Sequence, residues 1–179
     1  MSKVILYISM SLDGYIAKPN DDLSFLSVVE KEGEDYGFER FVSTVDTLII
    51  GRKTYDWVVN AVGEFPHKEK MVYVLTKTER PSAGNIHFYT GDISLLIGKL
   101  KKESRQNIYC DGGAQIVNEL LKGDLLDELI ISIIPILVGN GTKLFNDNRP
   151  EQPLKLISVT PYDTGLVQLH YKRANSNFD

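Results

Sequence analysis

Five short apolar runs alternate with helix-patterned segments through the first two thirds of this 179-residue chain, and no other feature restricts its fold as strongly. Each run is bounded by Gly, Pro or Asp, and the runs cover residues 3–11, 46–51, 71–76, 86–90 and 107–110. The helix-patterned segments cover roughly residues 21–30, 35–43, 52–60, 92–103 and 113–122. Because the runs are continuously apolar, they predict strands of a parallel sheet that is covered on both faces. We therefore expect a three-layer α/β/α fold.

After residue 125 the spacing changes. Three apolar segments, residues 125–139, 154–163 and 165–173, follow one another without room for crossover helices. Parallel strands need such crossovers, so these segments are expected to add antiparallel strands at the edge of a mainly parallel sheet. An edge strand such as residues 127–134 could pair with a second subunit and form a homodimer. No linker or repeat divides the sequence, so we expect residues 1–179 to form one domain, frayed over residues 174–179.

Composition excludes several classes of protein and site. The net charge is -4 and no run of Lys or Arg exceeds two residues, which argues against a nucleic-acid partner. Cys110 is the only cysteine, so a disulfide framework and a multi-cysteine zinc site are excluded. His67, His87 and His170 are scattered, without the spacing of a metal site. The N-terminal segment matches neither a signal peptide nor a membrane span, so we expect a cytoplasmic protein without a membrane partner.

The candidate ligand-binding residues follow the strands, because ligands of such sheets gather at the carboxyl ends of the strands. Gly51 ends the second run, and Arg52, Lys53 and Thr54 fall in the first turn of the next helix. The free N–H groups and the positive dipole end of that turn suit a phosphate. The P-loop pattern is not met, which disfavours a nucleoside triphosphatase. Thr76 and Lys77 end the third run and predict a second phosphate contact.

Two adjacent glycines, Gly112 and Gly113, stand where the fifth strand meets its helix. Glycine permits positive φ angles and removes the Cβ that would block a ligand, so the pair predicts a backbone surface that lies against a cofactor. A tight turn with close packing of strand and helix explains the pair equally well. The residues alone leave both interpretations open.

Several motifs resemble those of dihydrofolate-reductase-like proteins, in the same order and at roughly the same spacing over nearly the whole chain. These motifs are SMSLDGYIA (9–17), DTLIIGRKTYD (46–56), YVLTK (73–77), IYCDGGAQIVNELL (108–121) and DELIISIIPILVGNGTKLF (127–145). The last motif is similar to the reductase domain of bacterial riboflavin biosynthesis, the RibD C-terminal-like family. The GRKT sequence is more similar to dihydrofolate reductase itself.

The resemblance implies a binding site for NADPH. The residues that match the holders of its phosphates are Gly51, Arg52, Lys53 and Thr54. Those that match the contacts of the adenosine 2′-phosphate are Thr76 and Lys77. The residues that match the surface under the cofactor's pyrophosphate and nicotinamide are Gly112, Gly113, Ala114 and Gln115. The residues that match the strand and mobile loop that touch the nicotinamide are Ser9, Ile16 and Ala17.

The resemblance also points to a carboxylate near the start of the first helix, where Asp22 stands. A half-buried Asp22 could bind an amino-pyrimidine edge or support protonation of the reduced centre. The alternative is that Asp21 and Asp22 cap the helix. We expect Asp21 to cap and Asp22 to be catalytic and substrate-binding. Asp13 is either a further substrate contact or a turn former before Gly14.

Two departures from dihydrofolate reductases bear on the substrate. The loop between Ala17 and Asp22 is shorter and lacks their tryptophan, and the segment PILVG replaces their C-terminal pattern. The zinc deaminase signature of bifunctional riboflavin enzymes is absent, so the chain could supply only a reductase step. We therefore expect an NADPH-dependent reductase of a small pterin- or ribosylaminopyrimidine-like substrate. The alternatives are a dihydrofolate or pterin reductase and a nucleotide-binding module without turnover.

Overall fold

The computed structural model describes residues 2–147 and 149–174, so most of the predicted frayed end lies outside the described residues. The strands are β1 (Val4–Ser11), β2 (Tyr15–Ala17), β3 (Val45–Gly51), β4 (Met71–Leu75), β5 (Ile86–Tyr89), β6 (Asn107–Gly112), β7 (Glu128–Ile134), β8 (Thr142–Lys143), β9 (Leu154–Pro161) and β10 (Val167–Arg173). The α-helices are α1 (Phe38–Val42), α2 (Arg52–Val62), α3 (Ile93–Glu103) and α4 (Ala114–Lys122). None of the described helices is long and apolar enough to cross a membrane.

Eight of the strands form one sheet, in the order β5-β4-β3-β6-β1-β7-β10-β9. The strands from β5 to β7 run parallel, whereas β10 is antiparallel to β7 and β9 is antiparallel to β10. The predicted mainly parallel sheet with antiparallel C-terminal strands is confirmed. The prediction that residues 127–134 form an edge strand is wrong, because β10 returns between β7 and β9 and makes β7 an interior strand. The segment 125–139 was also expected to add an antiparallel strand, but its strand β7 is parallel to β1. Interior placement suits β7, since most of its apolar side chains are buried.

Helices cover the parallel part of the sheet on both faces, as the continuous apolar runs predicted. On one face, α3 and α4 bury Leu96, Ile97, Val117 and Leu120 against the sheet. On the other face, Phe41 of α1 and half-buried residues of α2 pack in a separate apolar cluster. The three-layer arrangement leaves the carboxyl ends of β1, β3, β4 and β6 at one edge of the sheet, where a ligand can approach.

Local structure differs from the sequence prediction in the first third of the chain. Residues 21–30 do not form an α-helix but belong to two short 3-10 helices, Pro19–Asp21 and Ser24–Val29. The strands β2 and β8 were not predicted, and they pair with each other as a separate two-stranded sheet. Strands of two or three residues carry too little periodicity to be recognised, so their formation depends on contacts that residues distant in sequence provide.

Candidate active site

A cleft of about 1640 Å³ lies at the carboxyl ends of the parallel strands. A typical site for one small ligand has a volume of roughly 300–1,000 Å³. The cleft therefore has room for a cofactor and a substrate side by side. Predicted cofactor residues that line it are Ser9, Ile16, Ala17, Gly51, Arg52, Lys53, Thr54, Thr76, Lys77, Gly113, Ala114 and Gln115. Gly112 is the one predicted cofactor residue that does not line the cleft.

The turn from β3 into α2 forms one wall of the cleft. Gly51 is the N-cap, and α2 begins directly at Arg52, so the first free N–H groups of the helix lie at Arg52, Lys53 and Thr54. A Cβ on Gly51 would come within 3.2 Å of the Ile116 side chain, which explains the glycine by packing between β3 and α4. The helix end and two cationic side chains together make this wall suitable for an anion.

Arg52 is held by an acidic residue one turn further along α2. Its guanidinium lies 2.6 Å from the Asp56 carboxylate, and Arg80 contacts the same carboxylate at 2.8 Å. The hydrogen bond from Arg80 and then that from Arg52 hold the pKa of Asp56 below its usual range, against the effect of burial. One carboxylate between two guanidinium groups leaves a net positive charge beside the wall formed by the β3–α2 turn.

The double glycine forms the junction of β6 and α4. Gly112 has a φ of +98°, a conformation that other residues rarely adopt. The Gly113 N–H donates to the Thr54 hydroxyl at 3.1 Å, and a Cβ on Gly113 would lie 3.2 Å from that oxygen. Backbone conformation therefore explains Gly112, and close packing contributes to the choice of Gly113. Contact of the pair with a cofactor stays a prediction.

Asp13 lies outside the cleft and organises the loop that precedes β2. Its carboxylate accepts hydrogen bonds from the Ser11 hydroxyl at 2.5 Å and from the backbone N–H groups of Val138 and Gly139 at 3.0 and 2.7 Å. These hydrogen bonds, led by that of Ser11, lower the pKa of Asp13 to about 2. The geometry favours the structural interpretation of Asp13 over substrate contact.

The two neighbouring aspartates lie in different surroundings from those expected. Asp22 is exposed, so the expectation that it is half-buried is wrong. Its carboxylate accepts from the Ser24 N–H at 2.7 Å and the Ser24 hydroxyl at 3.0 Å, which lowers its pKa and fixes the start of a 3-10 helix. Asp21, which was expected to cap, lines the cleft instead. The hydrogen bonds give Asp22 a structural role at this turn, and a catalytic role for it stays a prediction.

Several acidic residues line the cleft, and among them Asp111, which sequence reasoning passed over, has a raised pKa. Asp111 ends β6 directly before the double glycine and lines the cleft. Burial raises the pKa of its carboxyl above the ordinary value, although a 2.6 Å hydrogen bond from the Tyr109 hydroxyl favours the charged form. A carboxyl with a raised pKa can hold a proton for transfer to a ligand. The rule that strand ends carry the site residues would have found it.

Aromatic side chains line the cleft near Asp111. The Tyr7 hydroxyl donates to the Tyr36 carbonyl at 2.9 Å and receives a hydrogen bond from the Gln168 amide at 3.0 Å. Burial raises the pKa of Tyr7 to about 12, so this phenol stays neutral. Phe38 lines the same part of the cleft. The cleft thus has one part suited to an anion and one aromatic part near Asp111. Among the described residues no cluster of His, Cys, Asp or Glu could hold a metal ion.

This sheet order and the cleft at its carboxyl ends define a dihydrofolate-reductase-like fold. The dihydrofolate reductase of Enterococcus faecalis, in complex with NADP(H), superposes with a TM-score of 0.64 over 97% of both chains at 16% identity. The model of the RibD C-terminal domain matches residues 2–168 of the sequence. The chain belongs to the RibD C-terminal domain family.

Two relatives of similar length support this assignment, and a longer protein shares the fold. The uncharacterized protein YwjB of Bacillus subtilis (strain 168) is 39% identical over 173 residues, which are 96% of this chain and 98% of YwjB. A protein of Shewanella sp. PV-4, named provisionally for riboflavin biosynthesis, is 32% identical and superposes with a TM-score of 0.87 over 97% of this chain and 99% of its own. The bifunctional deaminase and 5-amino-6-(5-phosphoribosylamino)uracil reductase of Thermotoga maritima superposes with a TM-score of 0.71 at 15% identity. The superposition covers 97% of this chain and 57% of that one.

Proposed function

We propose that the protein is an NADPH-dependent reductase of a small heterocycle, with 5-amino-6-(5-phosphoribosylamino)uracil or a similar pyrimidine as the substrate class. The observation that carries the proposal is one cleft that joins an anion-binding wall to an aromatic wall beside Asp111, a carboxyl whose pKa is raised by burial. Membership of the RibD C-terminal domain family supports the same chemistry. A module that only binds nucleotides would have no need of the buried acid.

The residues of the anion-binding wall fit the phosphates of NADPH. The N-terminus of α2 offers free N–H groups, and the Thr54 hydroxyl accepts from Gly113 while its own proton remains to be donated. Lys77 lies at the end of β4 with no acidic residue before Glu79 to hold a ribose hydroxyl. This donor set favours the 2′-phosphate over the free hydroxyl of NADH. NADPH, when bound, would supply a hydride to a C=N or C=O carbon of the substrate.

Asp111 would donate the proton that completes the reduction. The neutral carboxyl gives its proton to the substrate nitrogen or oxygen while the adjacent carbon receives hydride, and the carboxylate then regains a proton from solvent. Tyr109 positions the carboxyl through its 2.6 Å hydrogen bond and lowers the pKa that burial raises. General acid catalysis of this kind typically contributes about 10²–10⁴-fold to the rate.

The decisive experiment follows oxidation of NADPH with the ribosylaminopyrimidine as substrate, across pH. Because the acid must be protonated, kcat should fall as pH rises through the raised pKa of Asp111. Asp111→Asn should lower kcat by roughly 10²-fold or more and abolish this pH dependence. Tyr109→Phe should instead move the fall to higher pH, since the hydrogen bond that favours the charged form is lost. Equal kcat in wild type and Asp111→Asn would refute the role of the acid.

Cofactor selection is tested separately by fluorescence titration. Charge-assisted hydrogen bonds contribute about 1.5–3 kcal/mol each, so NADPH should bind at least about tenfold more tightly than NADH. Replacing Arg52 and Lys77 together by Gln should remove most of this preference and leave NADH affinity nearly unchanged. Equal affinities in the wild type, or equal losses for both cofactors, would contradict the assignment. Tight binding of NADPH without turnover of any pyrimidine or pterin would leave the cofactor site standing and overturn the reductase.

A further inference from the structure

Trp57, the only tryptophan of the chain, lies in the cleft with 45% of its surface exposed. It stands on α2 one turn after Thr54, and Thr54, Trp57 and Val58 all line the cleft. Residues three and four apart share one face of a helix, so this face of α2 is turned to the ligand space. A large aromatic ring that is left open inside a cleft offers a flat apolar surface to a ring-shaped ligand.

The position of Trp57 along α2 brings it toward the aromatic part of the cleft. The helix begins at Arg52, in the anion-binding wall, and Trp57 follows after a rise of about 7.5 Å. The next residue, Val58, packs against the apolar cluster that contains Tyr109, whose hydroxyl donates to Asp111. The exposed ring of Trp57 therefore borders the part of the cleft where the proposed substrate would meet Asp111.

A second wall of the cleft, formed by residues 21–36, has a net negative charge. Its carboxylates are those of Asp21, Glu30, Glu34 and Asp35. Among the described residues that line the cleft, Lys31 is the one cation of this wall. The Lys31 ammonium itself lies 3.9 Å from the carboxylate of Asp163, which reduces what it can offer to a ligand.

Backbone donors hold two of these carboxylates in place. Glu34 accepts a hydrogen bond from the Tyr36 N–H at 2.8 Å. Asp35 accepts from the N–H groups of Glu39 and Gly37 at 2.8 and 2.9 Å, and these hydrogen bonds lower the pKa of Asp35. Asp35 therefore stays charged at neutral pH, and neither carboxylate can swing away from an approaching anion without losing its hydrogen bonds.

The negative charge reaches the aromatic part of the cleft. The carbonyl of Tyr36 accepts the hydrogen bond of the Tyr7 hydroxyl at 2.9 Å, so the acidic wall adjoins that part directly. The Tyr162 hydroxyl donates to the same carbonyl at 3.2 Å. Burial raises the pKa of Tyr162, and the charges of Glu34 and Asp35 raise it further. An anionic group on a ligand would be disfavoured by the same charges.

The other cations of the cleft lie where the proposed cofactor would use them. Arg52 and Lys53 follow β3 and Lys77 follows β4, so all three belong to the part that fits the phosphates of NADPH. A phosphate on the substrate would meet the acidic wall instead, with Lys31 as its one cationic partner. Hydroxyl and amino groups, in contrast, donate hydrogen bonds to carboxylates. The charges of the cleft therefore favour a substrate with donor groups and without a phosphate.

We propose that the substrate is a planar heterocycle without a phosphate group, which stacks on Trp57 and donates hydrogen bonds to the carboxylates of the acidic wall. The inference rests on the proposed function and narrows its substrate class to a dephosphorylated ribosylaminopyrimidine or a similar uncharged compound. Trp57 contributes affinity for the ring, and the acidic wall discriminates by charge. The two contributions can be measured separately.

Titration of the NADP⁺-bound protein with 5-amino-6-(5-phosphoribosylamino)uracil and with its dephosphorylated form tests the proposal. Binding can be followed by calorimetry and by tryptophan emission, since Trp57 is the only tryptophan. The dephosphorylated form should quench the emission and bind at least about tenfold more tightly at an ionic strength of about 0.01 M, where screening is weak. The difference should shrink at about 0.5 M salt, because screening weakens the repulsion of the phosphate.

Variants separate the charge from the ring. Glu30→Lys should reduce the preference for the dephosphorylated form at least about threefold, because a cation replaces an acid of the wall. Glu151→Lys is the matched control and should keep the preference, since Glu151 is exposed and does not line the cleft. Trp57→Leu should weaken binding of the pyrimidine at least about fivefold in calorimetry, and Trp57→Phe should weaken it less. NADPH affinity of both Trp57 variants should stay close to that of the wild type.

Equal or tighter binding of the phosphorylated form at low ionic strength would overturn the inference. So would wild-type affinity of Trp57→Leu for the pyrimidine, or failure of both pyrimidines to bind. Oxidation of NADPH with the phosphorylated form as the better substrate would overturn the inference and leave the reductase standing. Preferential binding of the dephosphorylated form without oxidation of NADPH would support the inference on the ligand and overturn the reductase.

Discussion

Substitution of Gly141 by alanine should destabilise the protein strongly, because the loop between β7 and β8 approaches β2 at this residue. A Cβ on Gly141 would lie only 2.0 Å from the carbonyl oxygen of Ala17 and 2.9 Å from the Cα of Lys18. Both are backbone atoms, so no side-chain rotation can relieve the contact. The φ angle of +139° adds strain of its own, since residues other than glycine rarely adopt it.

The magnitude follows from these two effects. Backbone strain at such a φ contributes about 1–3 kcal/mol, and forced overpacking contributes roughly 1–3 kcal/mol more. The free energy of unfolding should therefore fall by about 2–6 kcal/mol. For a chain of this size 1 kcal/mol shifts Tm by about 2–4 °C, so Tm should fall by roughly 4–24 °C.

Gly139→Ala is the matched control within the same loop. Gly139 also has a positive φ, +76°, but its Cβ would meet no atom within 4 Å. Strain alone should apply, about 1–2 kcal/mol, with a fall in Tm of roughly 2–8 °C. Differential scanning calorimetry of both variants at neutral pH measures the difference. If Gly141→Ala melts at the same temperature as Gly139→Ala, the close approach to Ala17 does not limit stability and the reasoning is wrong.

Three further predictions concern the cleft and its support. Gly113→Ala should reduce stability by less than about 1 kcal/mol, because only the tip of the Thr54 side chain must move. It should nevertheless lower NADPH affinity at least about tenfold, and unchanged affinity in a titration would leave packing as the sole reason for the glycine. Asp13→Asn should reduce the loss of stability that the wild type shows at acid pH. The pKa of Asp13 is depressed to about 2 in the folded protein, so its stabilisation is present above the unfolded pKa of about 3.9 and is lost as pH falls through 2. Urea unfolding between pH 5 and 2 measures this, and identical pH profiles of variant and wild type would argue against it. Dihydrofolate should be reduced poorly relative to a ribosylaminopyrimidine, and a kcat/KM for dihydrofolate of roughly 10⁴ M⁻¹s⁻¹ or above would contradict that order.

The alternation of apolar runs and helix-patterned segments by itself determined the architecture. The runs that became β1, β3, β4, β5 and β6 were recognised to within two residues at each end. Of the three antiparallel strands expected after residue 125, β9 and β10 were correct, whereas β7 is parallel to β1. These elements are recognisable because continuous burial on both faces imposes an apolar residue at nearly every position. A second rule, that ligands meet the carboxyl ends of the strands, directed attention to Gly51, Thr76 and Gly113, and all three line one cleft.

Only the tertiary structure decided which carboxyl could act in that cleft. Asp13, Asp22 and Asp111 have the same type of side chain, and each stands beside a turn, so the sequence does not distinguish them. In the folded protein, hydrogen bonds lower the pKa of Asp13 and Asp22 outside the cleft, whereas burial raises that of Asp111 within it. The pKa of a carboxyl depends on its desolvation and on donors contributed by distant residues, such as Val138 for Asp13. Desolvation and long-range donors exist only once the chain has folded, so the local sequence could name the candidates but could not choose between them.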